Sequence, residues 1–299
     1  MHMKYTLIVI VLSLFIFINV CEAQSPKSNT ATPVSDLGHI DVILDSVTYF
    51  AIKNDSFIKK EFGVLEIDTT YYGGKPSYDL YILGHLNFLH LSLAKGFWNN
   101  QQGGGVLVFQ TQQPGQKESL LKSWKHFYKD SLHVHTYKGN DFTLDEIMAW
   151  NKTDTSKAKE PKLFANLTSY STVAYRSWGI TDSIVNAGLS MKKFMESWGG
   201  KDLDNKLFHS ITELYMAINQ KEFKEIQTSL LATGYKKNKK LFTHSFNPTV
   251  YITVREEKGR PKYSKVKFKL IKAVGKREIV FSRNATLKLD GDAAWFIFK

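Results

Sequence analysis

The chain has 299 residues, of which 43% are hydrophobic and 23% charged, a composition typical of a globular protein with enough apolar side chains for a core. Its formal net charge is +12. The basic residues are scattered, with local clusters such as 236–240 and no recognised nucleic-acid-binding module, so they predict a solvated surface and no nucleic-acid partner. The one cysteine, Cys21, excludes a disulfide within the chain and a cysteine-based zinc site.

The first predicted element is an export signal. Lys4 and the apolar run 5–20 precede Cys-Glu-Ala, a pattern typical of a signal peptide cleaved after Ala23. We therefore predict a signal peptide at 1–23 and a secreted or periplasmic protein. An uncleaved anchor is the main alternative, and it would be the only contact with a membrane. Lipidation at Cys21 is a third alternative, but the residues before it are not small.

A flexible leader and a strand-rich block follow. Residues 24–36 are polar and contain two prolines, which predicts a flexible leader. The next block, 37–114, predicts a strand, a helical segment that ends at Gly63, and several further strands. The triple glycine at 103–105 precedes a strand and not a helix, so it indicates a close-passing loop and not a phosphate cradle.

The middle of the chain, 115–206, predicts a mainly helical insertion. Apolar residues recur at helical spacing between 116 and 130. We also predict a helix at 143–150 and a single helix at 183–199, closed by two glycines. Strand-like material remains around 132–137 and 163–175.

The last block, 207–299, repeats the order of the first. A strand at 207–218 is followed by an amphipathic helix that stops at Gly234 and then by strands, four of them short segments between 265 and 298. The two blocks share the order strand, helix, several strands, which indicates an internal duplication at the level of element order.

This order resembles the vicinal oxygen chelate superfamily, and more narrowly a family of uncharacterised glyoxalase-like proteins. The carrying stretches are "GHIDVILDSVTYFAIKNDSFIKKEF", "LYILGHLNFLHLSLA", "GGGVLVF" and the terminal "ATLKLDGDAAWFIF". The resemblance covers residues 37–299. It implies an α+β fold in which two βαβββ modules, 37–114 and 207–299, form a curved sheet around a cup, with the helical insertion between them.

The resemblance also implies a metal site. Proteins of this superfamily use a histidine early in the first strand of a module and a glutamate or histidine on the last strand. By position these are His39 and His90 in the first module. In the second module the early position falls near Glu213, with His209 just upstream, and the last-strand position falls in 249–254, which has neither an acid nor a histidine.

These positions define the candidate site residues. We hypothesise that His39 and His90 hold a divalent metal (zinc, iron, manganese or nickel), with Glu213 as general base. Candidate ligand-binding residues are Asp41, which forms a His-x-Asp pair with His39, together with Tyr81, Phe88 and His209.

Each candidate has a structural alternative. His90 lies in the apolar stretch "NFLHLSL", where it would also suit a hydrogen-bonded core position. Glu213 would equally suit solvent or a lysine partner, and the aromatic residues of the first module would suit the core. His133 and His135 share one strand face, but no third ligand is adjacent and an exposed edge strand fits as well.

Three functions remain open from the sequence. The first is an enzyme that uses a metal to act on a small oxygen-chelating substrate, of lyase, isomerase or dioxygenase type. The second is a non-catalytic protein that binds a small molecule, as in bleomycin-resistance proteins. The third is an envelope interaction protein whose basic clusters contact anionic surfaces.

Overall fold

Two mixed β-sheets make up most of the computed structural model, which describes residues 35–111, 117–129, 135–138, 143–148, 161–177, 179–255 and 262–299. The predicted signal peptide and nearly all of the predicted leader lie outside these residues. The eight-stranded sheet has the order β2-β3-β4-β1-β5-β8-β7-β6, and the six-stranded sheet has the order β10-β11-β12-β9-β13-β14. The fold is therefore α+β, as predicted.

The elements have the following bounds. The first sheet contains β1 (Ser35–Leu44), β2 (Val64–Tyr72), β3 (Lys75–Leu83), β4 (Phe88–Leu93), β5 (Gly105–Thr111), β6 (His135–Lys138), β7 (Thr143–Met148) and β8 (Leu163–Tyr170). The second sheet contains β9 (Phe208–Ile218), β10 (Lys236–Asn238), β11 (Leu241–Thr243), β12 (Thr249–Val254), β13 (Tyr263–Ser282) and β14 (Ala285–Phe298). The helices are α1 (Ser46–Asn54), α2 (Lys117–Tyr128), α3 (Thr172–Ser177), α4 (Asp182–Asn186), α5 (Met191–Gly199) and α6 (Gln220–Ala232). A π-helical turn spans Ile58–Phe62, and 3₁₀ turns span Gly96–Trp98 and Gly200–Leu203.

The two sheets contain the same arrangement of five elements, a strand, a helix and three further strands. These are β1, α1, β2, β3 and β4 in the first sheet and β9, α6, β10, β11 and β12 in the second. In the first sheet β1 pairs in parallel with β4 and antiparallel with β5, and in the second sheet β9 pairs in parallel with β12 and antiparallel with β13. Each leading strand runs directly into a helix with a side-chain cap, Asp45 before α1 and Asn219 before α6. These caps satisfy amide groups that would otherwise lack partners at the start of each helix.

Several sequence predictions differ from the structure, among them the strand-like stretch predicted at 163–175, which ends as a strand at Tyr170 and continues as helix α3 from Thr172. Of the helix predicted at 143–150, the described part, Thr143–Met148, is strand β7, because antiparallel pairing with β8 overrides a weak local preference for helix. The helix predicted at 183–199 is interrupted between α4 and α5, where Gly188 has a φ of 95° that a continuous helix does not allow. The short strands predicted between 265 and 298 are one long hairpin, β13–β14, in which register shifts on either side of Val274 absorb the irregular stretch.

The middle segment contributes strands as well as helices. Strands β6, β7 and β8 extend the first sheet, and β8 joins it through parallel pairing with β5. The helical part of the segment, α3 to α5, packs on one face of this sheet. This face is the one that carries the site described below.

A shared apolar core joins the two sheets. Alternate residues of each leading strand enter it, Ile40 and Val42 from β1 and Leu214 and Met216 from β9. Phe62 is fully buried at its centre. Direct contacts add to this packing: the Tyr263 hydroxyl donates to the Val106 carbonyl at 2.8 Å, and the ring of Tyr263 lies so close to Gly105 that a Cβ atom there would come within 2.6 Å of it.

We expect the Phe62→Ala substitution to lower the free energy of unfolding by about 3–5 kcal/mol, because it leaves a cavity among apolar side chains. The Phe62 ring centroid lies 5.6 Å from that of Phe208, 5.5 Å from that of Phe268 and 6.2 Å from that of Phe296. Urea unfolding measures the change. Phe50→Ala is the control, since Phe50 is 48% exposed, and an equal loss in both variants would contradict the assigned core.

Candidate functional site

Two histidines and an aspartate meet on the face of the first sheet that points away from the shared core. Asp41 on β1 lies opposite His90 on the parallel strand β4, and His39 lies two residues before Asp41. The residues that alternate with them, Ile40, Val42 and Leu89 among others, enter the core. The period of two along each strand therefore places the three polar side chains together on the opposite face.

The Asp41 carboxylate binds both imidazoles. Its Oδ1 atom lies 2.8 Å from His90 Nδ1 and 3.1 Å from His39 Nε2. All three side chains are nearly inaccessible to solvent, with exposed fractions of 13% for His39 and 9% for Asp41 and His90. The site is therefore a buried polar group, in which an imidazole without a partner would be costly.

A second carboxylate supports His90 from the other side. Asp79 on β3 is fully buried, and its Oδ1 lies 3.0 Å from His90 Nε2. The hydroxyl groups of Ser77 and Ser92 each donate to the same oxygen at 2.8 Å. Because both ring nitrogens of His90 have a carboxylate partner, the orientation of its ring is fixed.

Aromatic rings flank the two imidazoles. The ring of His39 stacks on Phe88 at a centroid distance of 4.2 Å, and the ring of His90 stacks on Tyr81 at 4.5 Å. Tyr81 and Phe88 also meet edge to face, with centroids 6.0 Å apart. These rings keep water from much of the polar group and strengthen the electrostatic interactions inside it.

The electrostatics of the group favour a charged His90. Burial alone lowers the pKa of His90, but the charges and hydrogen bonds of Asp41 and Asp79 outweigh it and raise that pKa to about 10. Burial also lowers the pKa of His39, which Asp41 only partly offsets. For Asp41, burial would raise the pKa, but the two imidazoles hold it well below its usual range. Without a bound ligand, the group therefore contains an imidazolium, a carboxylate and a neutral imidazole at neutral pH.

The same three side chains could hold a metal ion. One donor atom each from His39, Asp41 and His90 lies within 4.8 Å of the other two. Imidazole nitrogen and carboxylate oxygen are common ligands of first-row divalent metals. The carboxylate of Asp79 behind His90 matches the outer-shell partner that usually orients a ligating histidine. His39 Nδ1 is buried and has no hydrogen-bond partner, so one ring nitrogen of the group is unsatisfied.

The structure brings together most of the predicted site residues. His39, Asp41, His90, Tyr81 and Phe88 form one contiguous group on β1, β3 and β4. His39 and His90 are the predicted metal ligands, and the other three are predicted ligand-binding residues. The pairing of β1 with β4 is what unites them.

Glu213 and His209 lie elsewhere, on β9 of the second sheet. The Glu213 carboxylate accepts hydrogen bonds from Lys267 at 2.8 Å and from Tyr215. Glu213 therefore has a lysine partner, which is the structural alternative to the general-base role predicted for it. His209 stacks on His85 at 6.0 Å. Neither belongs to the group of three donors, and of the pair His133 and His135 the first lies outside the described residues.

Asp79 is the site residue that sequence reasoning missed. Its signal is local: Ser77, Asp79 and Tyr81 alternate along β3, and Ser92 continues the face of His90 on β4. The sequence leaves the pairing of β3 with β4 open, but the register places Asp79 opposite Ser92 and Tyr81 opposite His90. A polar residue at every second position of a buried strand is the pattern that would have identified it.

A cavity lies outside the group of three donors. It measures about 410 Å³ and is lined by the start of β1, the first residues of α5, part of β9 and the loop 245–248. None of the three donor residues lines it. The cavity and the buried polar group are therefore separate features of the structure.

The fold and site together define an α+β protein with two sheets, a repeated five-element arrangement and a buried His–Asp–His group. A family model matches residues 37–298, and the chain belongs to that family, DUF5829, a family of unknown function. No curated protein matches the sequence. In the part of the chain that the structure describes, no helix has the length and apolar character needed to cross a membrane.

We expect His90 to stay protonated well above the pH at which a free histidine loses its proton. The folded-state pKa of about 10 exceeds the unfolded value of about 6.5. The interaction therefore stabilises the metal-free protein fully below about pH 6.5, and this stability is lost as the pH rises through 10. Nitrogen-15 NMR of the metal-free protein measures the titration directly. A His90 imidazole that titrates near pH 6.5 would contradict the assigned network.

Proposed function

We propose that this protein binds one divalent metal ion through His39, Asp41 and His90 and that it is an enzyme for small substrates carrying two oxygen donors. The observation that carries the proposal is the convergence of two imidazoles and one carboxylate on adjacent strands, with Asp79 oriented behind His90. Three protein ligands leave coordination positions open for a substrate, as in catalytic metal sites.

The donor set restricts the metal. Two imidazoles and one carboxylate, without thiolate, suit zinc, iron, manganese or nickel, and calcium and magnesium would prefer a site built from oxygen atoms. When bound, such an ion would act as a Lewis acid that stabilises negative charge on a substrate oxygen.

The side chains of this protein have distinct roles in the proposal. His39, Asp41 and His90 supply the donor atoms, and His90 gives up its extra proton when it becomes a ligand. Asp79 fixes the tautomer of His90 by accepting from Nε2, and the two serine hydroxyls hold Asp79 in turn. Tyr81 and Phe88 exclude water from the rings that they cover.

The repeated topology supports a glyoxalase-like origin for the site. His39 lies on the first strand and His90 on the fourth strand of the first five-element arrangement, which are the positions that the resemblance implies for metal ligands. Asp41 is an addition to that pattern. The general-base role predicted for Glu213 gains no support, because the Glu213 carboxylate is bound to Lys267 and Tyr215 on the other sheet.

A non-catalytic, metal-free function is the second candidate. One observation favours it: both nitrogens of His90 already have carboxylate partners, so most of the group is satisfied without an ion. In that case the charged network would stabilise the sheet, and a small molecule would bind without chemical change.

Metal analysis separates the two candidates. We expect about one metal ion per chain in protein purified without chelator and without a histidine tag, and its loss in the His39→Ala/His90→Ala variant, because two of the three donors are removed. Elemental mass spectrometry, with circular dichroism to check folding, makes the measurement. The His209→Ala/His244→Ala variant is the matched control, since it removes two imidazoles outside the group. If the wild type stays metal-free after exposure to zinc, iron, manganese and nickel, the metal proposal is wrong.

We expect the Asp79→Asn variant to bind the metal roughly 10- to 100-fold more weakly, as is typical when the carboxylate behind a ligating histidine is lost. The asparagine has a similar shape and keeps an oxygen acceptor for His90 Nε2, so the sheet should stay intact while the negative charge behind His90 is lost. A competitive chelator titration measures the affinity. Asp68→Asn, on the exposed part of β2, is the control, and equal affinity in all three proteins would show that Asp79 does not position His90.

A further inference from the structure

We propose that Trp198 controls access to the His39–Asp41–His90 group and so determines which ligands reach it. The biological meaning of this role rests on the proposed function, whereas the position of Trp198 over the site follows from contacts that involve no metal. Trp198 lies in the last turn of α5, on the helical layer that covers the site face of the first sheet.

The indole of Trp198 lies against both aromatic rings that flank the group. Its ring centroid is 5.1 Å from that of Phe88, edge to face, and 5.5 Å from that of Tyr81. Phe88 in turn stacks on His39, and Tyr81 stacks on His90. The indole therefore spans the two rings through which both imidazoles are enclosed.

A polar contact holds the indole in this position. Trp198 Nε1 donates to Oε2 of Glu66 on β2 at 2.8 Å. This contact links the end of α5 to β2, the first strand in the sheet order, at the residue paired with Tyr81 on β3. Charge-assisted hydrogen bonds of this type are stronger than neutral ones, so Glu66 fixes the indole across the rings.

The two ends of α5 are attached differently. At its start, the Met191 amide donates to Asp36 on β1 at 3.1 Å, and Met191 is buried in the cluster beneath the helix. At its end, Trp198 is only partly buried and is followed by Gly199 and by Gly200, whose φ of 53° suits glycine. The end that bears the indole is therefore held by the Glu66 contact and by the packing of Gly199 against Leu203, and not by the contact with β1 that holds the start of the helix.

Access to the donors depends on this end of the helix. With the indole in place the three side chains are only 9–13% exposed, which limits direct entry to ions and small molecules. Displacing the indole would uncover Phe88 and Tyr81 and the imidazoles beside them. We therefore assign Trp198 and Glu66 to the selection of ligands and not to the chemistry.

Chemical modification tests access without any metal. We expect diethyl pyrocarbonate to modify His39 of the metal-free protein slowly in the wild type and several-fold faster in Trp198→Ala, as followed by peptide mass spectrometry. Glu66→Ala should also accelerate the reaction, but by no more than Trp198→Ala does, because it removes only the acceptor of the indole N–H, whereas Glu66→Gln keeps an acceptor and should stay near the wild-type rate. The exposed His126 is the internal control, because its rate should be the same in every variant.

Two further results complete the test. Trp198→Phe keeps most of the ring but cannot donate, so it should react at a rate between those of the wild type and Trp198→Ala, and it serves if the alanine variant does not fold. In the metal-loaded protein, transfer of zinc to the chelator 4-(2-pyridylazo)resorcinol should speed up in the same order. Equal His39 rates in all variants would overturn the proposal for Trp198. Absence of metal would overturn only the proposed function, since the modification assay needs none.

Discussion

The interaction on which the site depends is the contact of one buried carboxylate, Asp41, with two imidazoles from adjacent strands. The parallel pairing of β1 with β4 brings Asp41 opposite His90, and the period of the strand brings His39 to the same face. Without the carboxylate, two imidazoles would be desolvated close to one another, with ring centroids 5.8 Å apart and no opposite charge between them. The backbone pairing and the polar group therefore stabilise each other: each fixes the geometry that the other requires.

The sequence predicts the members of this site better than it predicts their arrangement. The resemblance to the vicinal oxygen chelate superfamily implies His39 and His90, and Asp41 follows from its spacing to His39. The alternation of Ser77, Asp79 and Tyr81 marks Asp79 only as a polar residue of a buried strand; its contact with His90 depends on the register of β3 against β4, which that pattern does not specify. The order of most elements along the chain can likewise be predicted from local patterns. Strand β7 cannot, because its strand state depends on pairing with β8.

The repeated arrangement gives the second sheet a counterpart of each of the three donor positions. Both β1 and β9 end immediately before a helix cap. Asp41 lies three residues before the end of β1, and Tyr215 lies three residues before the end of β9. Asp41 faces His90 on β4, and Tyr215 faces Tyr251 on β12, in the same parallel register. The position of His39 is taken by Glu213. The strand arrangement is thus repeated, while the polar residues on it differ. This explains why the two sequence blocks share an order of elements but only the first has a set of metal-ligand candidates.

The polar residues on the two sheet faces differ because one face is covered by helices and the other is exposed to solvent. Helices α3 to α5 pack on the site face of the first sheet, so its polar residues lie in a poorly solvated environment where carboxylate and imidazole must satisfy one another. On the second sheet Tyr251 is 36% exposed, and Lys265 lies over the ring of Tyr215 at 3.7 Å. Water can solvate charges on that face, so cross-strand pairs such as Glu213 with Lys267 suffice there. The helical layer of the middle segment is therefore what turns one of two equivalent sheet faces into an environment suited to a metal ion.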